Sequence, residues 1–449
     1  MTTTVLWHRR DLRRGDLPAL STALDGGAVL PLVVLDPALW AGAGRVRQSR
    51  YAASVRALQT SYDGALVVRW GDPAVVVPEV AAEVGARAVH VTAEPSPYGR
   101  RRDARVRTAL AAAGRDLRAS GTPYAVGPGV LRTGAGTPYQ VFTPFRRAWR
   151  DHGWPRPATL PRAARWRTGV PSEPLPGAGP GETASGDGQA VGEGAALARW
   201  AEFLDHGVAD YAEHRDRPDV DGTSRLSEAL KYGELHPRTL LADLADRGLV
   251  GAPGGAAFAS ELAWREFYAD VLWHHPRSAW TDLRPLAMSY DEPGAHLAAW
   301  EEGRTGYPFV DAGMRQLAAT GWMHNRVRMV TASFLVKDLH LWWPHGARHF
   351  LALLRDGDLA SNAHGWQWVA GTGTDAAPYF RIFNPVSQGC RFDPDGAYVR
   401  RWVPELAHLH GAAAHEPWRH PQGYDHGYPQ RIVDHDVERR EALARYQAR

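Results

Sequence analysis

The sequence has almost no cysteine, almost no lysine and no long apolar run. A single cysteine, Cys390, among 449 residues excludes an internal disulfide and favours a reducing compartment. No stretch approaches the roughly 18 apolar residues that a membrane-spanning helix needs. The first residues, MTTTVLWHRRDLRR, lack the apolar core of a signal peptide. These absences predict a soluble, cytoplasmic protein.

The charged residues are nearly balanced, and the basic ones are almost all arginine. The chain has 52 Lys and Arg against 49 Asp and Glu, a formal net charge of +3, and its pI is about 9.0. Lysine occurs only at Lys231 and Lys337. Arginine suits phosphate and stacking contacts better than lysine. So small a net charge nevertheless predicts nucleic-acid binding only through a local basic patch.

Composition and pattern together predict two domains. The apolar fraction of 44% and the charged fraction of 22% are typical of a globular protein, and the length allows two domains. Residues 1–128 alternate strand and helix patterns, which favours a parallel, Rossmann-like α/β domain. Its five predicted strands have the sequences TTVLWHR, VLPLVVLD, ALVVRW, AVHVTA and PYAVG.

A connector and a helical domain follow. Residues 129–194 are rich in Pro and Gly, which predicts an irregular interdomain connector, and its GAGPGE segment does not match a GxGxxG nucleotide loop. Residues 195–449 are predicted to be all-α because apolar residues recur at helical spacing. The predicted helices include ALARWAEFLDHGVADYAEHR, HPRTLLADLADRG, FASELAWREFYADVLW, YPFVDAGMRQLAATG and WMHNRVRMVTASFLVKDL.

The stretch from Gly321 to Pro385 mixes aromatic and polar side chains. A plain core avoids polar atoms that need partners, so this mixture favours a site for a large, flat aromatic ligand with polar edges. A Trp-rich core with solvated charges is the alternative. Four of these residues, Trp322, Asn325, Arg326 and Met329, have the spacing of one helix face. The other members are Arg328, Trp342, Trp343, Asp356, Asp358, Asn362, Trp366 and Trp368.

Two shorter motifs have both a functional and a purely structural interpretation. Residues 223–227, TSRLS, combine hydroxyls, an arginine and a predicted helix start, which suits phosphate binding, although taken alone an ordinary N-cap explains them better. Glu261, Trp264, Arg265 and Tyr268 share a helix face that can hydrogen-bond and stack a base. An amphipathic helix with an internal Glu–Arg pair explains that face equally well. No zinc motif, Walker loop or serine nucleophile elbow is present, so no metal is predicted.

Together these motifs resemble those of the photolyase/cryptochrome family, most closely its class I cyclobutane pyrimidine dimer photolyases. The resemblance extends over essentially the whole chain. It implies an α/β antenna-chromophore domain, a connector and an all-α domain that binds FAD and DNA, in agreement with the predicted domains. The sequences that carry it, which occur in separated positions, are WHRRDLR, TSRLS, ELAWREFY, GYPFVDAGMRQL, GWMHNRVRM, DGDLASNAHGWQW and TGTDAAPYFRIFNP.

The resemblance also implies roles for individual residues. The counterpart of Asn362 in the family faces flavin N5. The implied FAD contacts are Tyr211, Thr223, Ser224, Arg225, Leu226, Ser227, Arg265, Trp322, Asn325, Arg328, Asp356, Asp358 and Asn362. The implied contacts with the DNA lesion are Glu261, Trp264, Tyr268, Asn325, Arg326, Met329 and Trp368.

The function that the resemblance implies is light-driven DNA repair. Excited, fully reduced FAD would pass an electron to a cyclobutane pyrimidine dimer flipped out of DNA, the ring would split and the electron would return. The protein would thus be a carbon–carbon lyase. Glu261 would hydrogen-bond the dimer, and Trp264 and Trp368 would form an apolar cleft around it. The predicted partner is DNA that contains pyrimidine dimers, and the predicted state is a monomer.

Three other functions remain open at this point. A cryptochrome signals light without repair; members of that type usually have a long C-terminal tail, and plant members have Asp at the position of Asn362. This chain has Asn there and almost no tail. A (6-4) photolyase would have histidines near the lesion, where this chain has Asn325 and Met329. The third alternative is a flavoprotein of unrelated redox function.

An antenna chromophore is the first of two further features that the resemblance implies. Family members that bind 8-hydroxy-5-deazaflavin have a lysine after the TSRLS motif and an aspartate in the α/β domain. Lys231 and Asp103 match these positions, with Arg10 as a further candidate, so a deazaflavin is predicted. Methenyltetrahydrofolate and an empty site are the alternatives.

The second feature is photoreduction of the resting flavin, which in the family passes through three tryptophans leading to the surface. The first two match Trp366 and Trp343. The third position, counted back from Trp300 without gaps, falls on Tyr290. The terminal electron donor is therefore predicted to be Tyr290 or a nearby tryptophan, Trp342 or Trp280.

Overall fold

The structure, a computed structural model, describes residues 2–159, 164–176, 190–375, 378 and 381–447. Parts of the predicted connector and of the TGTDAAPYFRIFNP motif lie outside these residues. The chain divides into two compact units, of which the first comprises residues 1–209 and 224–276 and the second residues 210–223 and 277–449. The predicted domain boundaries at 128 and 194 differ from this division and stay a prediction.

Among the described residues, all strands belong to the first unit, whereas helices occur in both. The strands are β1 (Thr3–His8), β2 (Ala28–Leu35), β3 (Val67–Trp70), β4 (Ala88–Val91) and β5 (Asp116–Ala119). The helices are α1 (Pro18–Asp25), α2 (Pro37–Ala41), α3 (Arg45–Ser61), α4 (Pro73–Glu83), α5 (Pro97–Ala112), α6 (Phe142–His152), α7 (Glu193–Glu202), α8 (Tyr211–His214), α9 (Ser227–Tyr232), α10 (Pro237–Asp246), α11 (Pro253–His274), α12 (Ala295–Glu301), α13 (Pro308–Thr320), α14 (Asn325–Ser333), α15 (Trp343–Leu353), α16 (Leu359–Ala370), α17 (Pro385–Phe392), α18 (Ala397–Trp402) and α19 (His435–Gln447). Short 3₁₀ turns occupy Pro276–Ala279, Pro404–Leu406, Gly411–Ala414 and Pro417–Arg419, and π-helical turns occupy Phe203–Gly207 and Phe334–Asp338.

The sheet of the first unit is parallel, with the strand order β3-β2-β1-β4-β5, as the α/β prediction requires. Alternate residues of β1 pack on opposite faces, since Val5 joins the apolar cluster of α4 and α5 while Leu6 joins that of α1. Helices therefore cover both faces of the sheet. The strand order reverses beside β1, so the crevice beyond the ends of β1 and β4 is the place where such sheets bind ligands.

The fifth predicted strand was wrong. Residues 123–127, PYAVG, lie outside the sheet, because the backbone N–H groups of Ala125, Val126 and Gly127 donate to the buried carboxylate of Glu266 on α11. The actual edge strand is β5, whose sequence DLRA is polar and mostly exposed. A search for apolar runs misses a polar edge strand of this kind. The apolar residues of PYAVG resemble a strand, but this segment packs against α11, where its amides bind Glu266.

The helix predicted for residues 196–215 is interrupted. A π-helical turn, Phe203–Gly207, follows α7, and α8 begins only at Tyr211. The ring of Phe203 lies 2.6 Å from where a Cβ on Gly207 would be, so the side chain packs over a residue without one. Glycine is also a poor helix former, which makes this a favourable place for the interruption.

The second unit is built around one large apolar cluster. Its buried members run from Trp300 to Tyr428 and include the predicted electron carriers Trp343 and Trp366. The helix predicted to begin at Trp322 begins at Asn325, with His324 as its N-cap, because Gly321 closes α13 in the left-handed conformation and turns the chain. Among the described residues, no helix is long and apolar enough to cross a membrane.

Candidate functional site

The residues predicted to bind FAD and the lesion fall in both units. The first unit contains Ser224, Arg225, Leu226, Ser227, Glu261, Trp264, Arg265 and Tyr268, together with the three antenna candidates Arg10, Asp103 and Lys231. The second contains Tyr211, Thr223, Tyr290, Trp322, Asn325, Arg326, Arg328, Met329, Trp343, Asp356, Asp358, Asn362, Trp366 and Trp368. Each half has its own local geometry.

One face of α11 presents the predicted lesion contacts of the first unit. Because α11 is helical throughout, Glu261, Trp264 and Tyr268 lie on one side of it at spacings of three and four residues. The Trp264 ring stacks on Phe142 at a centroid distance of 3.6 Å and an angle of 10°, and it also contacts Tyr268 at 5.3 Å. Phe142, which the sequence did not single out, thus fixes the plane of the Trp264 indole. All three α11 residues keep part of their surface exposed.

Arg265, on the same helix, is held by its own unit. Its guanidinium donates to the carbonyl oxygens of Pro123 at 3.2 Å and Leu230 at 3.1 Å, and it lies over the Tyr124 ring at 4.4 Å. These contacts connect α11 to the end of α9 and to the segment that follows β5. Arg265 therefore orders the surroundings of the TSRLS motif as well as being a predicted cofactor contact.

The TSRLS motif adopts a strained turn rather than a simple N-cap. Arg225 has a φ of 54°, in the left-handed region that non-glycine residues rarely occupy. The Ser224 hydroxyl accepts from the backbone N–H of Leu226 at 3.4 Å, and Ser227 opens α9 with its surface exposed. Strain of this kind costs roughly 1–3 kcal/mol and persists where the surroundings enforce it, often at ligand sites.

A cleft of about 340 Å³ borders this motif within the first unit. Arg225 and Leu226 line it, as do Arg50 and Arg199. Arg50 is already neutralised, because its guanidinium pairs with Glu228 at 2.9 Å and with Glu234 at 2.8 Å. Glu202 also lines the cleft, so its three arginines are matched by three carboxylates, those of Glu202, Glu228 and Glu234.

In the second unit, Arg328 and Asp356 form a pair suited to a polar aromatic ligand. Arg328 Nη2 donates to Asp356 Oδ2 at 2.9 Å, and its Nε donates to the Met323 carbonyl at 2.8 Å. The other carboxylate oxygen, Asp356 Oδ1, is buried without a hydrogen-bond partner among the described residues. A buried acceptor left unsatisfied costs about 1–3 kcal/mol. A ring N–H, as in the isoalloxazine of FAD, would satisfy it, so the residues present fit this cofactor.

Helix α16 and its N-cap carry four more predicted residues, of which Trp368 is partly buried against the apolar cluster of the second unit. Asp358 is its N-cap and accepts from the Ser361 N–H at 3.0 Å. Asn362 Nδ2 donates to the Ala347 carbonyl at 3.0 Å, which fixes the amide plane and leaves the side-chain oxygen as its acceptor. Trp366 is buried one turn later. The sequence order alone could not define the orientation of the Asn362 amide.

Arg326, a predicted lesion contact, is already engaged in the second unit. Its guanidinium pairs with Asp216 at 2.8 Å and lies over the Phe392 ring at 4.5 Å. The side chain keeps 18% of its surface exposed, so it can still face a phosphate or a base. Neither Asp216 nor Phe392 was singled out by the sequence, because each lies more than 60 residues away along the chain.

The three antenna candidates, Arg10, Asp103 and Lys231, have different partners near the carboxyl ends of β1 and β4. Asp103 is buried and accepts from Arg9 at 3.1 Å and from Arg102 at 2.8 Å. Arg10 instead lies 3.8 Å from Glu94, and its Nε donates to the Lys231 carbonyl at 3.4 Å. Burial alone would raise the pKa of Glu94, but the neighbouring arginines outweigh it and lower the pKa. Glu94 is thus an anionic group at the strand ends that the sequence did not reveal.

Two family models match most of the chain. Residues 4–163 match the family model described as DNA photolyase, and residues 258–448 match the one described as the FAD binding domain of DNA photolyase. A deoxyribodipyrimidine photo-lyase of Streptomyces griseus is 44% identical over 97% of this chain and 97% of its own length.

Two solved structures have the same fold. A bacterial class III photolyase from Agrobacterium tumefaciens is 36% identical, with a TM-score of 0.91 over 100% of this chain and 98% of that one. A cryptochrome from Synechocystis sp. PCC6803 is 27% identical, with a TM-score of 0.90 over 99% of both chains. The sequence identity is thus higher to the photolyase, while the backbone resembles both.

Proposed function

This chain belongs to the DNA photolyase family, and we propose that it is a deoxyribodipyrimidine photo-lyase, which uses light to split cyclobutane pyrimidine dimers in DNA. The observation that carries the proposal is the 44% identity to such an enzyme over 97% of both chains. FAD is the cofactor, since the FAD-binding family model covers residues 258–448. The partner is DNA that contains pyrimidine dimers, and the enzyme acts on it as a monomer.

FAD, when bound, supplies the light absorption and the transferable electron. The chain's own residues hold and orient it. Asp356 Oδ1 would accept from an N–H at the ring edge, Arg328 keeps that carboxylate in place, and Asn362 would present its amide oxygen from a fixed plane. The hydroxyls of Thr223, Ser224 and Ser227 bind the pyrophosphate, which is supported by the exposed start of α9 at Ser227. We propose that the other residues predicted to contact FAD bind it as well.

The predicted lesion contacts belong to α11 in the first unit and to α14 and α16 in the second. Glu261 accepts hydrogen bonds from the pyrimidine edges, and Trp264, kept in its plane by Phe142, forms one wall of an apolar cleft. Trp368 forms another wall, and Tyr268, Asn325 and Met329 complete the predicted contacts. Arg326 neutralises phosphate or contacts the lesion while its charge is already shared with Asp216. Phosphate contacts of this kind bind DNA without reading its sequence.

A photoreceptor without repair activity is the second candidate, favoured only by the backbone likeness to the Synechocystis cryptochrome. The two candidate functions can be distinguished by incubating chemically reduced protein with an oligonucleotide that contains one cyclobutane dimer. We expect the dimer to disappear under blue or near-ultraviolet light and to persist in the dark. Dimer that persists under light in the presence of FAD-loaded, reduced protein would contradict the proposal. An oligonucleotide with a (6-4) photoproduct serves as the matched control and should remain unchanged.

The proposal also includes the identity of the antenna chromophore. We assign 8-hydroxy-5-deazaflavin to the crevice near Arg10 and Lys231, where Glu94 adds an anionic group; Asp103 contributes through the arginines it holds. Mass spectrometry of protein produced in a deazaflavin-making host is the test. A bound folate in that host would contradict this assignment.

A further inference from the structure

Photoreduction of the flavin, as the proposed function implies it, needs an electron path from the surface to Trp366. The first two carriers, Trp366 and Trp343, are both buried in the core of the second unit. Helix α15 approaches Trp366 closely, because a Cβ on Gly346 would lie 2.2 Å from the indole. Trp343 is the first residue of that helix. The structure therefore places the second carrier at the end of the helix that packs on the first.

A carboxylate contacts the outer part of this path. Asp282 Oδ1 accepts from Trp343 Nε1 at 2.6 Å and lies 3.4 Å from Trp342 Nε1, so one oxygen serves both indoles. The two indole rings are 6.5 Å apart, centroid to centroid. By contrast, Trp366 Nε1 is buried and has no hydrogen-bond acceptor among the described residues.

Gln367 holds the chain segment that contains Asp282 in place. Gln367, the residue after Trp366, is fully buried. Its side-chain oxygen accepts from Leu283 N at 2.8 Å, and its amide nitrogen donates to the Ser278 carbonyl at 2.7 Å. These two bonds bracket Asp282 in the chain. Across the part of the chain that the structure describes, Asp282 forms no ion pair with Arg or Lys, so its charge acts on the indoles.

We propose that Asp282 is a positioning residue that draws the oxidised state from Trp366 to Trp343, and that Trp342, which contacts the same carboxylate, is the outer donor. Bound FAD, when excited, would remove one electron from Trp366; Trp366 would regain an electron from Trp343, and Trp343 from Trp342. One electron moves at each step and no bond is broken. The resulting indole radical cation is stabilised by the Asp282 carboxylate at Trp343 and Trp342, whereas Trp366 has no such group. An external thiolate would finally supply one electron to Trp342 and become a thiyl radical.

Asp282→Asn is a clean test of the charge. Both indoles approach the same oxygen, Oδ1, so an amide oxygen in its place keeps both hydrogen bonds and removes only the negative charge. Even with the dielectric constant of water, a unit charge about 4 Å away shifts an equilibrium about fivefold. We therefore expect the yield of long-lived tryptophanyl radical after a blue flash, on FAD-loaded oxidised protein, to fall at least about fivefold.

Three further variants separate this role from a structural one. Asp282→Glu, which retains the charge, should keep more of the radical yield than Asp282→Asn does at equal thermal stability. Trp342→Phe should lower the yield, while Tyr290→Phe should not. A yield unchanged in Asp282→Asn, or lost in Tyr290→Phe and kept in Trp342→Phe, would overturn the proposal. Because repair by chemically reduced wild-type protein bypasses this path, its presence or absence reports on the proposed function separately.

Discussion

Glu266 offers a stability prediction whose size follows from its hydrogen bonds. The carboxylate is 2% exposed and accepts from four donors, with Ala125 N–H and Trp149 Nε1 on one oxygen, at 3.0 and 2.9 Å, and Val126 N–H and Gly127 N–H on the other. Burial nevertheless raises the pKa of this carboxyl, against the opposing effect of the four donors. In Glu266→Gln one oxygen becomes an NH₂ group, so two buried donors lose their acceptor.

Each buried donor left unsatisfied costs about 1–3 kcal/mol, so we expect Glu266→Gln to lower the free energy of unfolding by about 2–6 kcal/mol. For domains of 150–250 residues this corresponds to a fall of roughly 2–4 °C in Tm per kcal/mol. Urea and thermal unfolding measure the loss, and hydrogen exchange should show lost protection at residues 125–127. Glu79→Gln, the same change at an exposed site of α4, is the control. A Tm within 2 °C of wild type would refute the reasoning.

Three further predictions concern the proposed function and the response to acid. Glu261→Ala should retain FAD but weaken dimer binding and repair, since one hydrogen bond to a charged group contributes about 1.5–3 kcal/mol, and a fully active variant would contradict its role. Affinity for dimer-containing DNA should fall steadily with added salt because binding neutralises phosphates; affinity independent of salt would exclude that mode. Burial, with Arg13 nearby, lowers the pKa of His236 to about 4 against the opposing Asp16 carboxylate. This folded-state pKa lies below the ordinary one near 6.5, so the stability that His236 contributes is present above pH 6.5 and lost as the pH falls towards 4. In His236→Gln the free energy of unfolding should therefore fall less steeply between pH 6.5 and pH 4. An unchanged slope would show that other groups cause the loss.

The local patterns of the sequence were sufficient to predict most of the strands and the main helices. Four of the five predicted strands and the parallel sheet follow from short apolar runs that alternate with helical spacing, a signal set by local burial. The family follows from motifs that keep their order along the chain, as the matches to residues 4–163 and 258–448 confirm. Helix α11 also follows from its pattern, and with it the shared face of Glu261, Trp264 and Tyr268.

Long-range partners were decided only by the tertiary structure. PYAVG is apolar like a strand, yet its amides bind Glu266 about 140 residues later, and no local pattern encodes that distance. The same holds for Phe142 beneath Trp264. Asp282, about 60 residues before Trp342 and Trp343, is an ordinary loop aspartate in the sequence. The sequence determines the chemistry of each side chain, but the partner that a side chain contacts depends on which segments the folded core brings together.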